Sequence, residues 1–210
     1  MGNRGQSDLK GRPHGPDPFG RDAQNRVRIA QTAARLIAEH GISDWSLAKR
    51  KAARQLMLSA RESLPDDGEI EAALAEHHAL FGGEAHAAGL RRQREQALVW
   101  MRRLSAFEAT LAGGVAAGWA TAHSDIRLEL VADDAKAVEL ALINNGVAYR
   151  LPPAPRADAP AELFIETPAG GLRLIVRTAT AQRQRPQRDA QGQPVVRLSI
   201  AALEAMLASA

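Results

Sequence analysis

The chain has no cysteine, so it can form neither disulfides nor thiolate metal sites. Aromatic residues are scarce, at 4%, while apolar residues of all kinds reach 45%. A core must therefore be built mainly from Ala, Leu, Ile and Val. Long hydrophobic runs are missing as well. No stretch approaches the about 20 apolar residues of a membrane-spanning helix, and no apolar run after Met1 makes a signal-peptide core. The expectation is a cytoplasmic protein with no membrane partner. Charge of one sign is also in short supply: 27 basic residues stand against 24 acidic ones, an excess of +3 over 210 residues. Three catalytic signatures are absent. There is no G-x-S-x-G nucleophile elbow, no G-x-x-x-x-G-K-[ST] phosphate loop and no H-E-x-x-H zinc pair.

What is present divides the chain into segments. Residues 1–22 are rich in Gly, Pro and charge without a period, and read as a disordered arm. Residues 23–105 read as a helical segment. Ile29, Ala33, Leu36 and Ile37 form an apolar stripe at helical spacing over 24–40, and Gly41 suits its end. A second helix is expected near 45–58, capped by Ser43 or Asp44. A third follows over 69–81, with Ile70, Leu74, His77 and Phe81 in register. A fourth covers 85–105 through Leu90, Ala97, Met101 and Leu104.

The period then changes. Over 106–178 the pattern predicts a small mixed β-sheet: a strand at Phe107–Ala112, a turn at Gly113-Gly114, and an alternating strand from Ile126 to Leu130. A helix capped by Asp133 or Asp134 runs to Asn145. A short strand is expected at Val147–Leu151, then two strands, Glu162–Thr167 and Leu172–Arg177, joined as a hairpin. Residues 179–194 read as a polar loop, and 195–210 as a closing strand and a helix capped by Ser199. The fold class expected is α+β.

The informative stretch is Leu111 to Leu128. An apolar strand leads into Gly113-Gly114. Gly118 follows, and then Ser124-Asp125-Ile126-Arg127-Leu128 opens the alternating strand. This order and spacing resemble the signature of the nucleotidyltransferase superfamily, the DNA polymerase β-like fold. The resemblance covers about a third of the chain. It implies that Gly113, Gly114 and Gly118 let backbone amides approach a triphosphate, with Ser124, His123 and Arg127 near the same nucleotide. It also implies that Asp125 is the first catalytic carboxylate of a Mg²⁺ site. Two carboxylates at i and i+2 of a strand share a face and can hold such a cation between them and phosphate oxygens.

The departure from that pattern is chemical. The second carboxylate position is Arg127, a cation that repels a divalent metal and can instead pair with Asp125 or reach a phosphate. Glu129 lies one strand step further on the same face and is the candidate second metal ligand with Asp125. Glu162 and Glu166 are candidates for the third carboxylate. The reading is an incomplete transferase site that binds nucleotide or nucleic acid. A working Mg²⁺-dependent enzyme is the first alternative.

The second alternative is a DNA-binding regulator. Residues 29–42 are similar to the first helix of TetR-type repressors, and Leu47–Arg54 is a basic helix. Against it, no tight turn and recognition helix follow. Lys49, Arg50, Lys51 and Arg54 then read as a solvated face. His77, His78 and His86 lack a metal-ligand spacing and read as structural.

Overall fold

The computed structural model describes residues 18–42, 44–58, 64–152, 159–168, 170–188 and 194–209. The chain is α+β, with helices and one four-stranded mixed sheet among the described residues. Of the expected arm, residues 1–17 lie outside the described residues, as does the candidate cap Ser43. From Pro18 the chain is already helical, which moves the start of the first helix ahead of the expected residue 24.

Three helices make one unit. These are α1 (Pro18–His40), α2 (Trp45–Gln55) and α3 (Asp67–Phe81). Their small residues allow close approach: Ala30, Ala33, Ala34, Ala48, Ala52 and Ala73 are buried with Ile29, Leu36, Ile37, Ile70 and Leu74. Asp44 caps α2 by accepting from Leu47 N at 3.0 Å. Asp66 and Glu69 cap α3 reciprocally as a capping box. Two ion pairs tie the unit together, Arg26–Glu69 and Lys49–Asp67, each at 2.6 Å. The stripe predicted for α3 stops short of its end, because Phe81 is 73% exposed.

A second core gathers the sheet. Its strands are β1 (Thr110–Ala112), β2 (Ile126–Val131), β3 (Ala161–Thr167) and β4 (Gly170–Arg177), in the order β1-β2-β4-β3. β2 runs antiparallel to β1 and parallel to β4, and β4 is antiparallel to β3. Ile126, Leu128 and Leu130 of β2, with Leu172, Leu174 and Val176 of β4, point into this core. α4 (Gly83–Arg103) lies there too, through Leu90, Ala97, Trp100 and Met101. The expected helical segment 23–105 is thus shared between two cores, its last helix belonging with the sheet. α6 (Ala135–Asn144), capped by Asp134, and α8 (Ile200–Ser209), capped by Ser199, add Val138, Leu142 and Leu203.

Four further details differ from the pattern-based expectation. Ser105–Phe107 is a 3-10 turn, so β1 begins only at Thr110. Val147–Leu151 is no strand; a single bridge, Arg150 to Phe164, stands there. Val195–Leu198 contributes one bridge, Leu198 to Leu111, at the outer side of β1. The polar loop contains a short helix, α7 (Ala179–Arg183), capped by Thr178. α7 buries no residue, so no apolar stripe announces it.

Candidate functional site

A cleft of about 500 Å³ opens between the three-helix unit and the sheet. β1 leads directly into α5 (Gly113–Ala117), and the chain returns through residues 118–125 to β2. This return brings Gly113, Gly114, His123, Ser124, Asp125 and Arg127 to the cleft wall. Gly118 and Glu129, expected at the same site, do not line it.

The two adjacent glycines have local reasons to be glycine. Gly113 sits at φ +69°, where a side chain is strained. A Cβ on Gly114 would stand 2.6 Å from the Trp119 ring. Trp119 in turn packs on the three-helix core and meets Trp45 with ring centroids 5.5 Å apart. Both rings line the cleft.

The turn before β2 is tied by hydrogen bonds. Thr121 N donates to Ser124 Oγ at 2.9 Å, and buried Gln93 Nε2 donates to Thr121 O at 3.0 Å and Ser124 O at 3.2 Å. The Ser124 hydroxyl is therefore a turn-former here. His123 rests its ring against Gly41 at the end of α1, joining the turn to the helical unit. Arg94 of α4 donates to Val115 O at 3.0 Å and holds the end of α5; burial pushes its guanidinium below the ordinary value.

Arg127 and Glu129 share one face of β2, as the period of two requires, and Asp125 stands just ahead of the strand, but the three have different surroundings. Asp125 pairs with Arg173 of β4 at 3.3 Å. Arg173 is the register partner of Arg127, so two guanidinium groups stand side by side on the face that lines the cleft. Nε of each is buried without a hydrogen-bond partner. Arg127 is 43% exposed and its nearest carboxylate is Glu129, at 3.8 Å. Burial pushes the Arg127 guanidinium below its ordinary value. Glu129 acts in the opposite direction, and Arg177 and Arg173 add to the lowering. Arginine nonetheless stays a cation at neutral pH.

Glu129 is only 2% exposed, the exception to the polar-out alternation of β2. Four arginines surround it: Arg185 at 2.8 Å, Arg197 at 3.1 Å, Arg127 at 3.8 Å and Arg177 at 4.0 Å. Its oxygens are already claimed, so it serves as an anchor for the C-terminal segment and not as a second wall of a cation site. Glu162 and Glu166 lie on β3, which β4 separates from β2. Glu162 is 4.0 Å from Arg173, and Glu166 pairs with Arg150. Among the described residues, no group of three or more His, Cys, Asp or Glu could hold a metal ion.

Three cleft residues escaped sequence reasoning: Arg173, Trp45 and Trp119. Arg173 alternates with buried Leu172 and Leu174, which marks it as facing the opposite side from the core. Nothing local places it beside Arg127; only the pairing of β2 with β4 does. The acidic residues Asp44, Asp67 and Glu71 line the helical side of the cleft. Asp44 is engaged as the α2 cap and Asp67 by Lys49. The class defined by these features is an α+β protein with an arginine-walled cleft between a helical unit and a mixed sheet. No protein-family model, curated protein or solved structure matches the chain.

Proposed function

We propose that the cleft binds the phosphate of a nucleotide, on a scaffold of nucleotidyltransferase type whose second carboxylate position is taken over by Arg127. The strand, glycine pair, short helix and returning strand stand in the order that the resemblance implies. The observation that carries the reading is the side-by-side placement of Arg127 and Arg173 on the cleft wall. Paired guanidiniums offer several N–H donors to phosphate oxygens, and charge-assisted bonds of this kind are among the stronger ones. Trp45 and Trp119 line the same cleft and supply aromatic surface against which a base can pack.

The residues present do not fit Mg²⁺. On the sheet wall the cleft has one carboxylate, Asp125, and it is bonded to a cation. Two guanidiniums within the same wall oppose a divalent ion by direct repulsion. Among the described residues no second carboxylate joins Asp125 on this wall, which supports a binding protein over a metal-dependent enzyme.

Calorimetric titration with ATP, with and without Mg²⁺, tests this. Binding should occur without the metal and weaken at least tenfold in Arg127→Met. Binding that requires Mg²⁺ and vanishes in Asp125→Ala would establish the active enzyme instead.

A further inference from the structure

We propose that the outer face of α2 docks the sugar–phosphate backbone of a single-stranded nucleic acid. α2 carries four basic residues and no acidic one. Lys49 is accounted for: it is buried and bound to Asp67 at 2.6 Å. This corrects its place in the expected solvated face. Arg50, Lys51 and Arg54 are exposed, and no ion pair holds any of them among the described residues.

Fold stability does not explain this arrangement. Arg54, in the last turn, is favoured by the helix dipole. Arg50 and Arg54, however, are like charges at i and i+4, which repel each other on a helix surface. Three arginines on other helices do meet acids: Arg26 meets Glu69, Arg91 meets Glu95 and Arg102 meets Glu204. An external polyanion would turn the repulsion on α2 into attraction.

The direction of the stripe indicates the ligand. Ser46, Arg50 and Arg54 follow one another at intervals of four residues, about 6 Å each along the helix. Ser46 lines the cleft. A chain of phosphates lying on α2 therefore leads toward the cleft, where only an unpaired strand end offers a base free to pack on Trp45 and Trp119. The choice of a single strand over a duplex rests on the nucleotide reading of the cleft; the affinity for phosphate rests on α2 alone.

The test is fluorescence anisotropy of labelled 12-nucleotide single-stranded RNA, single-stranded DNA and duplex DNA on the full chain. With three phosphate contacts, affinity for a single strand should fall roughly tenfold to twentyfold between 50 and 200 mM salt. The triple variant Arg50→Glu, Lys51→Glu, Arg54→Glu should lose at least tenfold, while Arg50→Lys with Arg54→Lys stays within about threefold. Circular dichroism checks that the variants stay helical. Unchanged binding by the triple variant, or no binding of any strand at low salt, overturns the proposal. So does equal or tighter binding of the duplex, or binding to phosphatidylserine vesicles or polyglutamate in place of the oligonucleotides. Should Arg127→Met bind ATP normally while oligonucleotide binding still depends on α2, only the cleft reading fails.

Discussion

Asp125, just ahead of β2, and Arg173 of β4 face each other 3.3 Å apart, each side chain 40% exposed. The carboxylate that a metal site would need is thereby the partner of a cation that a phosphate would need. An anion entering the cleft competes with Asp125 for Arg173.

Asp125→Asn should consequently strengthen metal-free ATP binding, by up to about fivefold, the scale of a half-exposed ion pair. A metal-ligand role predicts the reverse. Calorimetry on the single variant separates the two, and weaker binding would count against the arginine reading.

Glu129 neutralises a cluster of arginines drawn from β2, β4 and the segments around Arg185 and Arg197. Glu129→Gln leaves these cations mutually repelling around a buried amide. Stability should fall by about 3–5 kcal/mol, as when one partner of a buried charge network is removed. Urea unfolding measures it. A loss below about 1 kcal/mol would show the cluster to be solvated in solution.

Gly114→Ala pushes a methyl group into the Trp119 ring. The ring must move, at a cost of about 1–3 kcal/mol. Its contact with Trp45 should change with it, so the near-ultraviolet circular dichroism of the tryptophans should shift. An unchanged spectrum with unchanged stability would contradict the packing described.

His78 stacks on His86 with ring centroids 3.8 Å apart, and His86 Nε2 lies 3.2 Å from Gly118 O. Burial pushes His78 down to about 4, with His86 and His77 adding to the effect. The unfolded chain takes up this proton near pH 6.5. Between pH 6.5 and 4 the unfolded state therefore binds more protons, and stability falls as the pH drops through that window. Above pH 6.5 His78 contributes no pH dependence. The urea midpoint of the native chain should fall from pH 7.5 to pH 5, and His78→Gln should fall less. Equal declines in both would assign the effect to other groups.

Much of the architecture was legible without coordinates. The helical stripes of α1 and α4, the Asp44, Asp134 and Ser199 caps, and the alternation along β2 and the β3–β4 hairpin all stand where local pattern places them. These features depend on residues a few positions apart. Elements without such a pattern were not legible. α7 buries nothing, and the segments at 147–151 and 195–198 read as strands but make single bridges. The alternation of β2 also concealed the burial of Glu129, because its arginine partners come from as far away as Arg197.

Sequence alone determined the secondary-structure class and the helix caps, since each follows from periodicity and backbone preference over short spans. Tertiary structure decided that Arg173 stands beside Arg127, that Glu129 is enclosed, and that Trp45 and Trp119 meet at the cleft. The physical reason is range. Strand pairing and interhelical packing join residues distant in the chain, and the electrostatics of a site depends on which charges end up within a few ångströms of each other.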